Sequence, residues 1–156
     1  MPIPAPSPES SPVPAQASLA SEYIGLPYPP VPEGWQTGLG LISAAVGETS
    51  FSIQELEKAD QQMLWFMKLT GRDSQGKSSW VVLDVLIRSE IKEPGGLILT
   101  ICQIGDKPDT EIVALGEGNK QVITTINRAW RANHVTRRFE PISTDGIICV
   151  EEPAGP

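Results

Sequence analysis

The sequence is poor in the residues that most often form metal sites and catalytic groups. It contains a single histidine, His134, and two cysteines, Cys102 and Cys149, which are far apart and outside any C-x-x-C motif. A structural zinc site needs clustered Cys and His ligands, and a Ser/His/Asp or Cys/His arrangement needs a histidine beside a nucleophile. We therefore predict no catalytic residue, no metal site and no cofactor, and we expect two free thiols.

Long apolar runs are also missing. The longest, such as Met63–Met67, are far shorter than the about 18 residues that a membrane-spanning helix requires. The first residues, MPIPAPSPESSPVPAQ, lack the basic and apolar regions of a signal peptide. We expect a cytoplasmic protein without a membrane span.

Basic residues are absent from the first 57 positions, which hold six acidic side chains, and the whole chain has a formal net charge of −7. A chain with this charge is not attracted to a phosphate backbone, so we expect no general nucleic-acid binding.

Proline is concentrated at the start of the chain, where the first 34 residues hold ten of the fifteen prolines. A segment of this composition buries too little apolar surface to offset the entropy lost on ordering. We predict a disordered proline-rich tail over residues 1–34, a single domain over residues 35–151 and a flexible C-terminus over residues 152–156.

Within the predicted tail, the stretch LPYPPVP has two P-x-x-P spacings and favours polyproline II. Two interpretations stay open. Pro27, Tyr28 and Pro30 could dock into an aromatic-lined groove of a partner, or the stretch could be a stiff linker that lays Tyr28 and Trp35 against the domain's own surface.

The pattern beyond residue 35 predicts two helices and four to six strands. Ser52 and Glu55 have the spacing of a capping box, which predicts a helix from Ile53 to about Gln61. Apolar residues spaced for one helical face predict a second helix in NKQVITTINRAWRAN, residues 119–133. Strands are predicted in QMLWFMKLT, SSWVVLDVLIRS, LILTICQI, TEIVAL, RRFEPIS and GIICV. The expected fold is α+β, a mostly antiparallel sheet with two helices on one face, in the order α-β-β-β-β-α-β-β.

One motif suggests nucleotide binding, because GRDSQGKS, Gly71–Ser78, fits the phosphate-loop pattern G-x-x-x-x-G-K-[ST]. A phosphate loop must lead into a helix whose N-terminus holds the phosphates, whereas here a strand pattern follows Ser78. Asp73 and Gly76 occupy the first and fourth positions of a type I turn. We interpret the motif as the turn of a β-hairpin, which disfavours nucleotide binding.

The clearest local charge is basic. The segment from Gln121 to Phe139 has no acidic residue and contains four arginines, Arg128, Arg131, Arg137 and Arg138. On a helix, Arg128 and Arg131 would share the outer face. The four side chains are then a candidate site for a protein partner, an acidic one among the possibilities, and the alternative is a solvated helix end.

The strings RAWRAN and FEPIST, with ILTICQ upstream, resemble a small family of uncharacterised cyanobacterial proteins over about residues 60–150. The resemblance implies a photosynthetic bacterial cytoplasm and assigns no activity. The predicted order of elements is also similar to that of secretion-chaperone-like domains, which bind protein segments as dimers.

These features indicate a non-enzymatic protein-binding or assembly module of chaperone-like type. It would use the basic helix face and the proline-rich tail, and a homodimer is compatible with it. The alternative is a small-ligand-binding protein or an enzyme whose pocket is not evident in the sequence.

Overall fold

The computed structural model describes residues 19–118 and 121–151, which form thirteen β-strands in three antiparallel sheets. Two short 3₁₀ turns, Leu19–Glu22 and Arg88–Glu90, are the helical elements of these residues, and no helix there reaches seven residues. The predicted α+β class with two helices is therefore wrong, because the fold is nearly all β. Residues 1–18 of the predicted tail and the predicted C-terminus over residues 152–156 lie outside the described residues.

The first sheet contains β1 (Pro27–Tyr28), β2 (Gln36–Val46), β3 (Thr49–Lys58), β4 (Gln61–Arg72) and β5 (Ser78–Ile87). The second contains β6 (Ile98–Leu99), β9 (Ile112–Glu117), β11 (Thr125–Asn133) and β12 (Arg138–Ile142). The third contains β7 (Ile101–Ile104), β8 (Lys107–Pro108), β10 (Val122–Ile123) and β13 (Ile147–Val150). Their orders are β1-β5-β4-β3-β2, β12-β11-β9-β6 and β10-β13-β7-β8.

The three sheets pack in layers, with the second sheet in the middle. Leu64 and Phe66 of β4 meet Leu115 of β9 and Trp130 of β11 in one buried cluster. On the other face of the second sheet, residues such as Ala129 pack in a further cluster against the third sheet. The central strands are therefore buried on both faces. This explains the unbroken apolar runs in QMLWFMKLT and TEIVAL, which are typical of such strands.

The outer face of the first sheet is covered by the segment that precedes β2. Met63, Trp65 and Met67 point to this face, where Tyr23, Tyr28, Val31 and Trp35 pack against them. We expected disorder through residue 34, whereas residues 19–34 lie on the sheet and Pro27–Tyr28 pairs with β5 as strand β1. The apolar surface of Trp65 supplies the burial that the proline-rich segment lacks by itself.

The first predicted helix, Ile53 to about Gln61, is wrong because strand β3 occupies Thr49–Lys58. Phe51 and Ile53 point into the core between the sheets, whereas Leu56 belongs to the opposite face. Pairing with β2 on one side and β4 on the other outweighs the helical propensity of QELEK.

The second predicted helix, within residues 119–133, is also wrong, since Val122–Ile123 and Thr125–Asn133 are strands β10 and β11. The sequence contains a signal for this outcome. Residues 122–126, VITTI, are five consecutive β-branched residues, which lose side-chain freedom in a helix and favour strands.

The prediction of two free thiols is wrong, because Cys102 and Cys149 form a disulfide. The two residues lie directly opposite each other in β7 and β13. Both are buried in the cluster between the second and third sheets. The pairing could not be predicted from the sequence, because the two cysteines are far apart in the chain and meet only through the register of β7 and β13.

Two polar side chains connect the first sheet to the second. Gln62 is buried, and its side-chain amide accepts a hydrogen bond from the Ile98 N–H at 2.7 Å and donates one to the Ile98 carbonyl at 3.1 Å. The Asp84 carboxylate accepts a hydrogen bond from the Phe139 N–H at 2.8 Å, and burial raises the pKa of Asp84 above its usual range. Hydrogen bonds as well as apolar contacts therefore hold the first sheet against the second.

We expect Gln62→Leu to lower the free energy of unfolding by about 2–4 kcal/mol. The change leaves both the N–H and the carbonyl of Ile98 buried without their partner. Urea denaturation followed by circular dichroism measures the loss, and Gln61→Leu, at the exposed neighbouring position, is the matched control. Equal effects of the two changes would contradict this role of the buried amide.

We expect the double change Cys102→Ala and Cys149→Ala to lower the free energy of unfolding by about 4 kcal/mol, from the loop-closure entropy of a cross-link with a sequence separation of 47. A reducing agent should lower the melting temperature of the unmodified protein in the same direction. Peptide mapping without reduction tests the bond itself, and recovery of two free thiols would contradict it.

Candidate functional site

The structure does not bring the four arginines together as one patch. Arg128 and Arg131 are three positions apart in β11, and residues at that spacing in a strand point to opposite faces. The Arg128 guanidinium lies over the Trp130 ring at 4.9 Å and 3.9 Å from a Glu93 carboxylate oxygen. Arg131 is on the opposite face, so the shared outer face expected from a helix does not exist.

Arg131 belongs to an ion-pair network. Its guanidinium nitrogens lie 3.1 Å from Asp109 Oδ2 and 3.0 Å from Glu111 Oε1, and His134 Nδ1 lies 2.6 Å from Glu111 Oε2. Burial alone would lower the pKa of Arg131, but its hydrogen bonds to Asp109 and Glu111 outweigh this and raise it. The network holds the chain between β8 and β9 against the end of β11. The charge of Arg131 is paired with carboxylates of the protein itself.

Arg137 and Arg138 are exposed at the start of β12. The Arg137 N–H donates to the Asn133 carbonyl at 2.7 Å, which closes the turn between β11 and β12. These two side chains are adjacent and exposed. The binding role expected of the four arginines stays a prediction.

The proposed docking peptide, Pro27, Tyr28 and Pro30, lies on the protein's own first sheet. Tyr28 is directly opposite Trp80, and its ring meets the buried Trp65 ring edge-on at 5.9 Å between centroids. This is the arrangement expected of the stiff linker, and docking of this stretch to a partner stays a prediction.

The phosphate-loop motif forms a hairpin turn, as the sequence indicated. Asp73 Oδ1 accepts hydrogen bonds from the N–H groups of Gln75 and Lys77 at 2.8 and 2.9 Å, and Gly76 has a φ of 82°. Strand β5 begins at Ser78 and runs directly from the turn. The segment offers no helix N-terminus to a phosphate.

A cleft of about 220 Å³ opens where the three sheets meet, and it was not evident in the sequence. Glu55, Glu57 and Gln62 lie on one side, and apolar residues such as Leu97 and Ile101 form the rest. Its volume is below the about 300–1,000 Å³ of typical small-molecule sites. Within residues 19–118 and 121–151, no group of three or more His, Cys, Asp or Glu side chains is placed to hold a metal ion.

The edges of the sheets differ in how well they are protected against pairing with another strand. Strands β1, β6, β8 and β10 have two residues each, and β12 carries Arg138, Glu140 and Pro141. Short length, charge, proline and β-bulges are the usual features that protect an edge. The sixth edge, β2, has eleven residues, QTGLGLISAAV, and no charged side chain.

Strand β2 is only partly covered. It pairs with β3 on one side, with register shifts between Thr37 and Gly40 and between Ile42 and Ala44. Side chains of Gln54 and Thr110 donate to three of its carbonyls, those of Gly38, Leu39 and Ser43. Ile42 and Val46 remain 51% exposed each. Sequence reasoning missed this site because it predicted no strand over residues 36–46, and because the position of β2 at an edge follows from the topology.

Comparison with known proteins adds no relative, since no family model, no curated protein and no solved structure matches the chain. The resemblance to a cyanobacterial family therefore stays a prediction. No helix within the described residues is long and apolar enough to cross a membrane.

We expect Arg131→Ala to lower the free energy of unfolding by about 1–2 kcal/mol, because it leaves the partly buried Glu111 without its arginine partner. Arg128→Ala should cost less than about 1 kcal/mol, because Arg128 is more exposed and its ion pair is long. Guanidinium denaturation of both variants tests the difference. A larger loss at Arg128 would contradict the division of roles between the two faces.

Proposed function

We propose that the protein is a non-enzymatic assembly module that pairs with a second copy of itself through β2. The observation that carries the proposal is the contrast between this edge and the other five. An unblocked edge strand presents backbone N–H and carbonyl groups that another strand can pair with, and most proteins suppress this. In this fold, five edges are short or carry charge and proline, whereas the longest one has no charge and no proline and is interrupted only by two register shifts.

The charge of the chain opposes self-association over most of its surface and opposes it least at this strand. Two copies with a net charge of −7 each repel over most of their surfaces. Of the strands longer than four residues among those described, β2 alone has no charged side chain. Within residues 42–46 Thr110 occupies the Ser43 carbonyl, and antiparallel pairing of the other backbone groups about a twofold axis would set no like charges opposite one another.

The pairing would also cover apolar surface. Ile42 and Val46 are among the more exposed large apolar side chains of the described residues, and both lie in this half of β2. Two five-stranded sheets would become one continuous sheet of about ten strands, which is near the upper end for twisted open sheets.

The disulfide supports an oxidising compartment for the assembled protein, in place of the cytoplasm expected from the sequence. Buried cross-links such as Cys102–Cys149 persist where cellular reductants do not keep thiols reduced.

Sedimentation velocity of the full chain over a wide concentration range tests the proposal. We expect a reversible dimer, and we expect Ile42→Lys to raise its dissociation constant at least about tenfold, since a charge on an edge strand opposes pairing. Val122→Lys is the matched control, because Val122 is 50% exposed on the two-residue edge strand β10.

Circular dichroism and melting temperature should show that both lysine variants keep the fold. A protein that stays monomeric at every concentration would overturn the proposal. So would an Ile42→Lys dimer as strong as that of the unmodified protein, because the interface would then lie elsewhere.

A further inference from the structure

The cleft where the three sheets meet has an acidic side and an apolar side. Among the described residues, its lining contains three carboxylates, those of Glu55, Glu57 and Glu151, and no basic side chain. Glu57 and Glu151 are exposed, and neither forms an ion pair within the described part of the chain. On the other side, Leu97 and Ile101 are 51% and 37% exposed. The cleft therefore suits an occupant that carries positive charge beside apolar surface.

One exposed turn of the chain has this chemistry. It is the tip of the β11–β12 hairpin, where Val135 is 76% exposed, more than any other large apolar side chain of the described ranges. Arg137 and Arg138 follow in the sequence, and both are exposed. Neither arginine makes an ion pair with another described residue, so both guanidinium groups can reach a partner. The tip thus presents an apolar side chain close to two cations.

Hydrogen bonds hold the hairpin tip in one conformation. Asn133 Oδ1 accepts hydrogen bonds from the N–H groups of Val135 at 2.9 Å and Thr136 at 3.3 Å. The Asn133 carbonyl accepts another from the Arg137 N–H at 2.7 Å. Arg137 has a φ of 65°, a left-handed conformation that glycine adopts at lower cost. Because the backbone of the tip is already ordered, binding through it loses little conformational entropy.

The tip and the cleft lie at opposite ends of β11. Thr125, the first residue of β11, is opposite Glu117, which lies between the cleft residues Gly116 and Gly118. Asn133, the last residue of β11, begins the turn that carries the tip. A strand of nine residues is about 25–30 Å long, so the tip does not reach the cleft of its own molecule. Only a second molecule can bring the two surfaces together.

We propose that the cleft of one molecule receives the hairpin tip of a second copy of this chain, with Val135 on the apolar side and the two arginines on the acidic side. Opposite charges meet at this contact, although whole molecules with a net charge of −7 each repel. A cleft of about 220 Å³ has room for the side chains of one turn. The contact is heterologous, so each added copy still offers a tip or a cleft and molecules can join in rows. It uses neither Ile42 nor Val46 of β2, so either proposal can fail without the other.

Sedimentation velocity of charge-reversed variants of the full chain tests the proposal, with Ile42→Lys added to each to remove pairing through β2. The Ile42→Lys protein should still associate weakly, and more at low salt than at high salt, because salt screens exposed charges. The tip variant is Arg137→Glu with Arg138→Glu, and the cleft variant is Glu57→Lys with Glu151→Lys. Each should lower the association constant at least about tenfold, since like charges then face each other. A mixture of the two variants should associate again, because every contact between them joins opposite charges.

Asp106→Lys with Asp145→Lys is the matched control for the cleft variant, because it adds the same charge at exposed positions outside the cleft. This control should associate at least as strongly as the Ile42→Lys protein, since general repulsion between the molecules falls. The tip and cleft variants both keep a negative net charge, so general attraction cannot explain association of their mixture.

Circular dichroism and melting temperature should show that all the variants keep the fold. The proposal is overturned if the Ile42→Lys protein is monomeric at every concentration, or if the mixture of tip and cleft variants stays monomeric. It is also overturned if the cleft variant associates as strongly as its control. These results leave the proposed β2 dimer untouched, because its test compares the unmodified chain with the Ile42→Lys protein.

Discussion

Burial of strand β4 on both faces is the constraint from which the layered architecture follows. Leu64 and Phe66 point to one side and Met63, Trp65 and Met67 to the other. Leaving such side chains in water costs about 1.5–3 kcal/mol each, so both faces need a cover. The second sheet covers one, and the segment before β2 covers the other. Strand β9 is also buried on both faces, by the first sheet on one side and by the third sheet on the other.

Local pattern was enough to predict the elements whose environment is close in sequence. Strands β4 and β5 follow from their aromatic and alternating residues, and the turn between them follows from Asp73 and Gly76. The two helices were wrong for the opposite reason. The spacing of Ser52 and Glu55 satisfies a capping box, but β3 has partners on both sides that are supplied by distant parts of the chain.

The local sequence pattern does not predict the candidate sites, because they depend on the order of strands in the sheets. Residues 36–46 were not predicted to be a strand, and whether a strand lies at an edge depends on which strands pair around it. Arg128 and Arg131 illustrate the same limit, since a change from helix to strand moves two side chains from one face to opposite faces. Composition predicted disorder through residue 34 because the Trp65 surface that the segment covers belongs to a strand distant in the sequence.

The two edges of the first sheet differ in length. At β1 it ends in a two-residue strand that belongs to the cover. At β2 it ends in eleven residues without a charge. The cover includes Tyr28, and Ile42 in β2 remains 51% exposed. The placement of the N-terminal segment thus buries the outer face of the central strands and leaves β2 accessible.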